Sequence, residues 1–238
     1  MAGHSKFANR KHRKARQDNK RAKLFTRISR EIIIAVRAGG SDPELNPRLR
    51  MALDNARVNN IPNDNINRAI DKGLGNTDGS IFEEFVYEGY GPGGVAILLE
   101  MATDNRKRAA ADTRHILSKH GGSLGQDGCV AWMFNRKGII TIIDESLSLD
   151  DLILHVLEAG GEDVEEQDDL FIVYTTPNDV YTVAEALKDK GVSVNEIAIE
   201  FVPSNSVDAP EEHEDTIEKL LDALEDCEDI QNVYTNLS

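Results

Sequence analysis

GIITII (138–143), LDDLILHVLEA (149–159), DVEE (163–166), LFIVY (170–174), VYTVAEALKDK (180–190) and NEIAIEFV (195–202) decide the fold. They read in turn as strand, helix, strand, strand, helix and strand. That β-α-β-β-α-β order is the ferredoxin-like split βαβ. Residues 137–203 are therefore expected to form one complete α/β domain.

On either side of it lie pieces that are incomplete alone. Upstream, FVYE (85–88) and VAILL (95–99) read as strands around GYGPGG (89–94). Asp104 or Asn105 opens a helix to His120, Gly121-Gly122 closes it, and CVAWMF (129–134) reads as another strand. Downstream, residues 203–210 are a linker, Thr216–Asp226 an acidic helix and Val233-Tyr234 a short strand. Joining the two sets gives a second α/β domain, 81–136 plus 204–238, with 137–203 as an insertion.

Residues 23–38 form an amphipathic helix. At 100° per residue, Leu24, Phe25, Ile28, Ile32, Ala35 and Val36 share one face. Lys20, Lys23, Arg27, Arg30 and Arg37 share the opposite one, and Gly39-Gly40 ends the helix. Asn46 with Pro47 starts a second helix bearing Leu49, Leu53 and Ala56. After the break at residues 60–63, Asn63 is expected to cap a third helix with Ile66, Ala69 and Ile70, which Gly73 stops. Residues 23–80 are thus a three-helix domain with a linker from Gly75. Residues 1–22 hold Phe7 as the only large hydrophobe after Met1, so they are expected to be a mobile basic tail. The fold class is α+β: an N-terminal three-helix domain followed by two ferredoxin-like α/β domains, one inserted in the other.

The 238 residues are 40% hydrophobic, 29% charged and 5% aromatic, which excludes fibrous, collagen-like and wholly disordered chains. No apolar run approaches the ~18–20 residues of a membrane span. No apolar region follows the basic start, so no secretory signal is expected. Cys129 and Cys227 form no C-x-x-C pair and read as reduced thiols in a cytoplasmic protein.

The net charge of -15 conceals a segregation. Residues 1–37 carry 12 Lys and Arg against Asp18 and Glu31, whereas residues 138–238 carry 3 against 27 acidic residues. A basic head sits on an acidic body. Arg10, Lys11, Arg13, Lys14 and Arg16, flanked by Lys6, Lys20, Arg21 and Lys23, repel one another and gain by neutralising phosphate. Lys23, Arg27 and Arg30 continue that charge onto an ordered helix. Two other readings stay open: a tail pinned to the chain's own acidic domain, and one that meets an acidic surface or partner. The helices of residues 50–73 could imitate a helix-turn-helix, but small three-helix units are often purely structural.

Other motifs point away from catalysis. GYGPGG matches G-x-G-x-x-G, yet a β-branched strand follows it, not the helix a dinucleotide needs, so a hairpin turn is expected. The six histidines make no metal motif, and EDVEEQDD (162–169) lacks the EF-hand glycine and spacing. No catalytic residue, metal or cofactor is assigned. DNRKR (104–108) puts Arg106 and Lys107 in a first helical turn, where the helix dipole disfavours cations. Asp104, Asn105, Arg106 and Arg108 are therefore offered as a second contact with an external anion or acidic partner.

Taken together, MAGHSKFANRKHRKARQDNKRAKLFTRISREI (1–32), NPRLR (46–50), YEGYGPGG (87–94), DNRKR (104–108) and GGSLGQDGCVAWMF (121–134) resemble the YebC family. The resemblance implies a helical N-terminal domain and two α/β domains. It also implies function: bacterial members are described as probable transcriptional regulators that bind DNA. Other members are translation factors acting on the ribosome, notably at proline-rich stretches, and mitochondrial relatives activate translation of cytochrome c oxidase subunit I. The match carries over to His4, Ser5 and Lys6, to the basic residues of 10–23, to Tyr87 and 89–94, and to Asp104, Asn105, Arg106 and Arg108. Phe7 stands where the family usually has Trp, Ala22 where Gly is common, and Lys107-Arg108-Ala109 where Asn-Arg-Thr is common.

The expected function is a non-enzymatic, cytoplasmic nucleic-acid-binding regulator of the YebC family, first as a DNA-binding transcriptional regulator. The alternative is a translation factor that binds ribosomal RNA and the ribosome. The nucleic-acid contacts are His4, Ser5, Lys6, Arg10, Lys11, Arg13, Lys14, Arg16, Lys20, Arg21, Lys23, Arg27 and Arg30. No membrane and no small-molecule substrate is expected. From a different class, the chain could be a protein-interaction adaptor with acidic residues 137–203 as its contact surface. A hydrolase with clustered carboxylates is the remaining alternative.

Overall fold

A computed structural model of the chain describes residues 17–76, 81–144, 147–167 and 170–238, with side chains from residue 22 onward. Among the described residues, seven α-helices and two four-stranded antiparallel sheets divide between two compact units. Met133–Ser204 is one unit; the described residues from Gln17 to Trp132 together with Asn205–Ser238 are the other.

The larger unit opens with α1 (Gln17–Gly39), α2 (Pro47–Val58) and α3 (Asn63–Gly73). Helix α1 starts six residues before the expected boundary at 23. Ile28, Ile32, Ala35 and Val36 of α1 pack with Leu49, Ala52 and Ala56 of α2 and with Ile66 and Ala69 of α3. Asn46 joins the first two helices: its Oδ1 accepts from the Leu49 N–H, and its Nδ2 donates to the carbonyls of Ala35 and Gly40. Asn63 is not the cap that the sequence suggests. Pro62 takes that position without a side-chain bond, because its carbonyl accepts from the N–H groups of Asn65 and Ile66 and closes the turn. Gly73 lets α1 and α3 approach, since a Cβ there would lie 2.6 Å from Val36 Cβ.

The sheet of this unit runs β3-β1-β2-β8, from β1 (Glu83–Tyr90), β2 (Ala96–Thr103), β3 (Ser123–Leu124) and β8 (Ile230–Thr235). Helices α4 (Arg106–Lys119) and α7 (Glu214–Glu225) cover it. Ile97, Leu99 and Met101 of β2 meet Ala109 and Leu117 of α4 and Leu220 and Leu224 of α7. The β1–β2 turn occupies Gly91–Val95, since Gly89 and Tyr90 of GYGPGG still pair within the sheet, and in it Gly93 and Gly94 take the left-handed conformation that side chains rarely adopt.

The expected strand at 129–134 is a correction. Ala131–Met133 is a short 3₁₀ turn, and β4 (Phe134–Ile142) starts only at Phe134. The reason lies in Glu88, whose carboxylate accepts the N–H groups of Gly128, Val130 and Ala131, so those amides are lost to a ladder.

The smaller unit has β4, α5 (Leu149–Ala159), β5 (Asp163–Gln167), β6 (Leu170–Thr175), α6 (Val180–Asp189) and β7 (Val194–Pro203). Its strand order, β5-β6-β4-β7, is that of the ferredoxin-like split βαβ. Ile140, Leu152, Val156, Phe171, Val173, Val183 and Leu187 fill its core. Ser148 caps α5 by accepting from the Asp151 N–H.

Candidate nucleic-acid interface

Most of the basic head lies outside the described residues: His4, Ser5, Lys6, Arg10, Lys11, Arg13, Lys14 and Arg16. Lys20 and Arg21 fall on the first turns of α1. Of the described basic face, Lys23, Arg27 and Arg30 lie against the acidic end of α7 and the α7–β8 connection, whereas Arg37 is exposed.

Lys23 Nζ lies 3.1 Å from Asp226 Oδ1, both side chains being well exposed. Arg27 goes deeper. Burial pushes its guanidinium pKa down, opposed by Glu225, Cys227 and Asp226, and its Nη2 is buried with no hydrogen-bond partner among the described residues. Arg30 is 8% exposed. Its Nη1 donates to the Ala102 carbonyl at 2.9 Å and also to the Glu228 carbonyl, and it lies 3.9 Å from Asp229 Oδ1. Its guanidinium sits 4.8 Å above the centre of the Phe82 ring. Burial lowers the Arg30 pKa, against Asp229, Glu228 and Asp104.

This corrects the reading of Arg30 as a phosphate contact. Helical periodicity tells which side chains share a face, not what packs on it. A guanidinium is weakly hydrated and planar, so it can be buried where carbonyls and a carboxylate receive its donors. Arg30 holds the helical part against the α/β part of the larger unit.

Asp229 receives a second arginine. Arg108 Nε and Nη2 donate to its carboxylate at 3.0–3.2 Å, and Nη2 also meets Asp104 at 3.0 Å. These bonds raise the Arg108 pKa. Asn105 caps α4 by accepting from the Arg108 N–H at 3.1 Å. Arg106 lies 4.3 Å over the Phe85 ring. Of the four residues expected to make a second external contact, Asn105 and Arg108 are thus committed to internal bonds, while Arg106 keeps an exposed side chain. A cleft of about 700 Å³ opens here, lined by Arg30, Phe82, Arg108, His115, Cys227 and Asp229 among others.

Further along α4, Lys107, Arg114 and Lys119 are exposed, and they make no ion pair among the described residues. Among those residues, too, no group of three or more His, Cys, Asp and Glu side chains is placed to hold a metal ion. No helix described is long and apolar enough to cross a membrane.

Two features escaped sequence reasoning. One is Asp229, which sits in an acidic run (DCEDI, 226–230) where nothing sets it apart. The other is Glu88, 7% exposed inside YEGYGPGG. A lone carboxylate between apolar strand residues was the available signal. Burial raises its pKa, but the three N–H bonds outweigh burial and hold the carboxyl below its ordinary range. The loop it anchors carries Cys129 and Trp132.

Similarity to known proteins extends over nearly the whole chain. A family model described as the TACO1/YebC protein N-terminal domain matches residues 5–76. Another, described as the TACO1/YebC second and third domain, matches residues 82–237. A protein of Desulforamulus reducens named "Probable transcriptional regulatory protein" is 54% identical, over 99% of this chain and 98% of its own. One of the same name from Halothermothrix orenii is 51% identical, over 99% and 94%. The crystal structure of a conserved hypothetical protein from Aquifex aeolicus is 44% identical, superposes with a TM-score of 0.87, and covers 98% of this chain and 97% of that one.

Proposed function

The chain belongs to the TACO1/YebC family, and from that premise we propose that it is a non-enzymatic, cytoplasmic nucleic-acid-binding regulator of gene expression. The observation that carries this is charge segregation: 12 basic against 2 acidic residues in 1–37, and 3 against 27 in 138–238. The head, with Lys6, Arg10, Lys11, Arg13, Lys14, Arg16, Lys20 and Arg21, neutralises phosphates. The acidic body is repelled by the same polyanion, so it faces away and orients the protein. The relatives' name supports transcriptional DNA as the target.

A second reading, structured RNA such as ribosomal RNA, is favoured by the charges of α2 and α3. Arg48 is tied to Glu31 and Glu84, Arg50 to the carbonyls of Pro43 and Glu44, and Arg57 to Asp54. Helix α3 carries Asp64 and Asp71 against Arg68 and Lys72. Of the arginines on these two helices, Arg68 alone is exposed with no ion pair among the described residues, fewer than the several side chains that major-groove reading uses, so phosphate contact dominates.

The test is a salt titration of binding to duplex DNA and to a structured RNA. With about six phosphates neutralised, log K falls with log salt at a slope near -5 on a duplex. A slope near zero contradicts the reading.

A further inference from the structure

Two exposed rings serve no purpose in the fold described so far. Trp132, the chain's only tryptophan, is 72% exposed, and Tyr90 is 36% exposed. Neither is loose. The Tyr90 hydroxyl and the Trp132 Nε1–H both donate to the Cys129 carbonyl, at 3.0 and 3.2 Å. The two rings therefore converge on one oxygen. That oxygen is itself fixed, because buried Glu88 holds the N–H groups of Gly128, Val130 and Ala131 around it at 2.6–2.7 Å. Tyr90 is fixed again by pairing with Ser123 of β3. With both ring donors spent internally, the exposed rings present their π-faces to the outside.

Charge indicates what lies on those faces. Helix α4 ends at Lys119, and its capping residue, His120, is three positions before Ser123, the partner of Tyr90. The exposed cations Lys107, Arg114 and Lys119 are distributed along this helix, about 20 Å long at 1.5 Å per residue. At about 100° per residue Lys107 and Arg114 share one face of the helix and Lys119 lies well round from them at its last residue. Cations on this helix and preorganised aromatic faces supply the two things an unpaired strand requires: neutralised phosphates and a surface on which bases stack.

We propose that Tyr90 and Trp132 form a stacking site for an unpaired nucleobase, with Lys107, Arg114 and Lys119 receiving the adjoining phosphates. The proposal rests on the nucleic-acid reading above. It adds a contact separate in sequence from the basic head, and it selects single-stranded segments over duplex.

The lone tryptophan makes the site directly readable. The full chain is titrated with a fluorescently labelled 12-nucleotide single-stranded RNA, and with the same strand in a duplex. Tryptophan emission and RNA anisotropy are followed together. Single strand quenches the emission as it binds, and duplex leaves it unchanged. Trp132→Leu weakens single-strand affinity about tenfold or more, and Trp132→Phe, which keeps a stackable ring, recovers most of it. The side chain is exposed, so melting temperature stays as in the parent and serves as the folding control. Bound RNA with unaltered emission, or a Trp132→Leu affinity equal to the parent's, overturns the site. So does quenching by a proline-rich peptide but not by RNA, which assigns the rings to a protein partner. If charge reversal at Arg10, Arg13 and Lys14 abolishes binding while Trp132→Leu does not, the stacking site alone fails. If no RNA or DNA binds the parent chain, the nucleic-acid reading fails with it.

Discussion

At the scale of single residues, two carboxylates organise the larger unit. Asp229, 4% exposed, receives Arg108 through several bonds and Arg30 at 3.9 Å. Removing one member of a buried charge cluster leaves the others uncompensated. Asp229→Ala is expected to lose about 3 kcal/mol of stability, measured by urea denaturation of the larger unit's transition. Arg106→Ala removes only a surface cation–π contact and is expected to lose less than about 1 kcal/mol. Equal losses from the two would show that Asp229 is not the hub described. Glu88 makes a pH prediction. Its folded pKa is lowered, so its contribution is present in full above the unfolded value of about 4.3 and is lost as pH falls toward the folded value. Amide exchange at Gly128, Val130 and Ala131 is therefore expected to quicken, once the intrinsic pH dependence is subtracted, only below about pH 4.3. In Glu88→Gln these amides lose protection at every pH. Protection in that variant equal to the parent's would contradict the role given to the carboxylate. Neither residue's partnership is legible in one sequence, because a buried carboxylate is defined by donors more than 100 positions away for Asp229 and about 40 for Glu88.

Helices and strands reveal more to the sequence than single residues do. Hydrophobic periodicity and the Asn46–Pro47 start foretell α1 and α2, because local backbone energetics set those features. The order of elements from 138 to 202 foretells the split βαβ, since β-branched runs and glycine stops alternate regularly there. The failures have physical causes as well. The 129–134 run has strand composition, but Glu88 claims its amides, so tertiary hydrogen bonding overrides propensity. The basic face of α1 is a true face, but Arg27 and Arg30 on it are buried, Arg30 beside Asp229. Close helix approach gives a test at this scale. Gly73→Ala puts a Cβ 2.6 Å from Val36 Cβ and is expected to cost about 1–3 kcal/mol. A thermal melt followed at 222 nm reads it, and an unchanged melt would mean that α1 and α3 separate without cost.

On the scale of the whole molecule, charge decides more than shape. A chain with net charge -15 is repelled by nucleic acid on average, so the segregated head must supply most of the electrostatic attraction. Reversing Arg10, Arg13 and Lys14 to Glu changes local charge by six units and is expected to weaken binding by orders of magnitude at low salt. Filter binding or anisotropy checks it, and binding equal to the parent's would refute the head as the contact. The segregation is fully legible in the sequence, whereas the internal use of Arg30 and Arg108 is not, because composition counts charges without their partners. The most direct test of the central claim is ultraviolet crosslinking in living cells, with sequencing of the attached nucleic acid and mass spectrometry of the attached peptides. Nucleic acid well above the unirradiated control is expected, joined mainly to peptides from residues 4–23. Reads from ribosomal RNA would select the RNA reading, and reads from promoter DNA the transcriptional one. Nucleic acid no higher than the control, or attachment confined to Met133–Ser204, would contradict it.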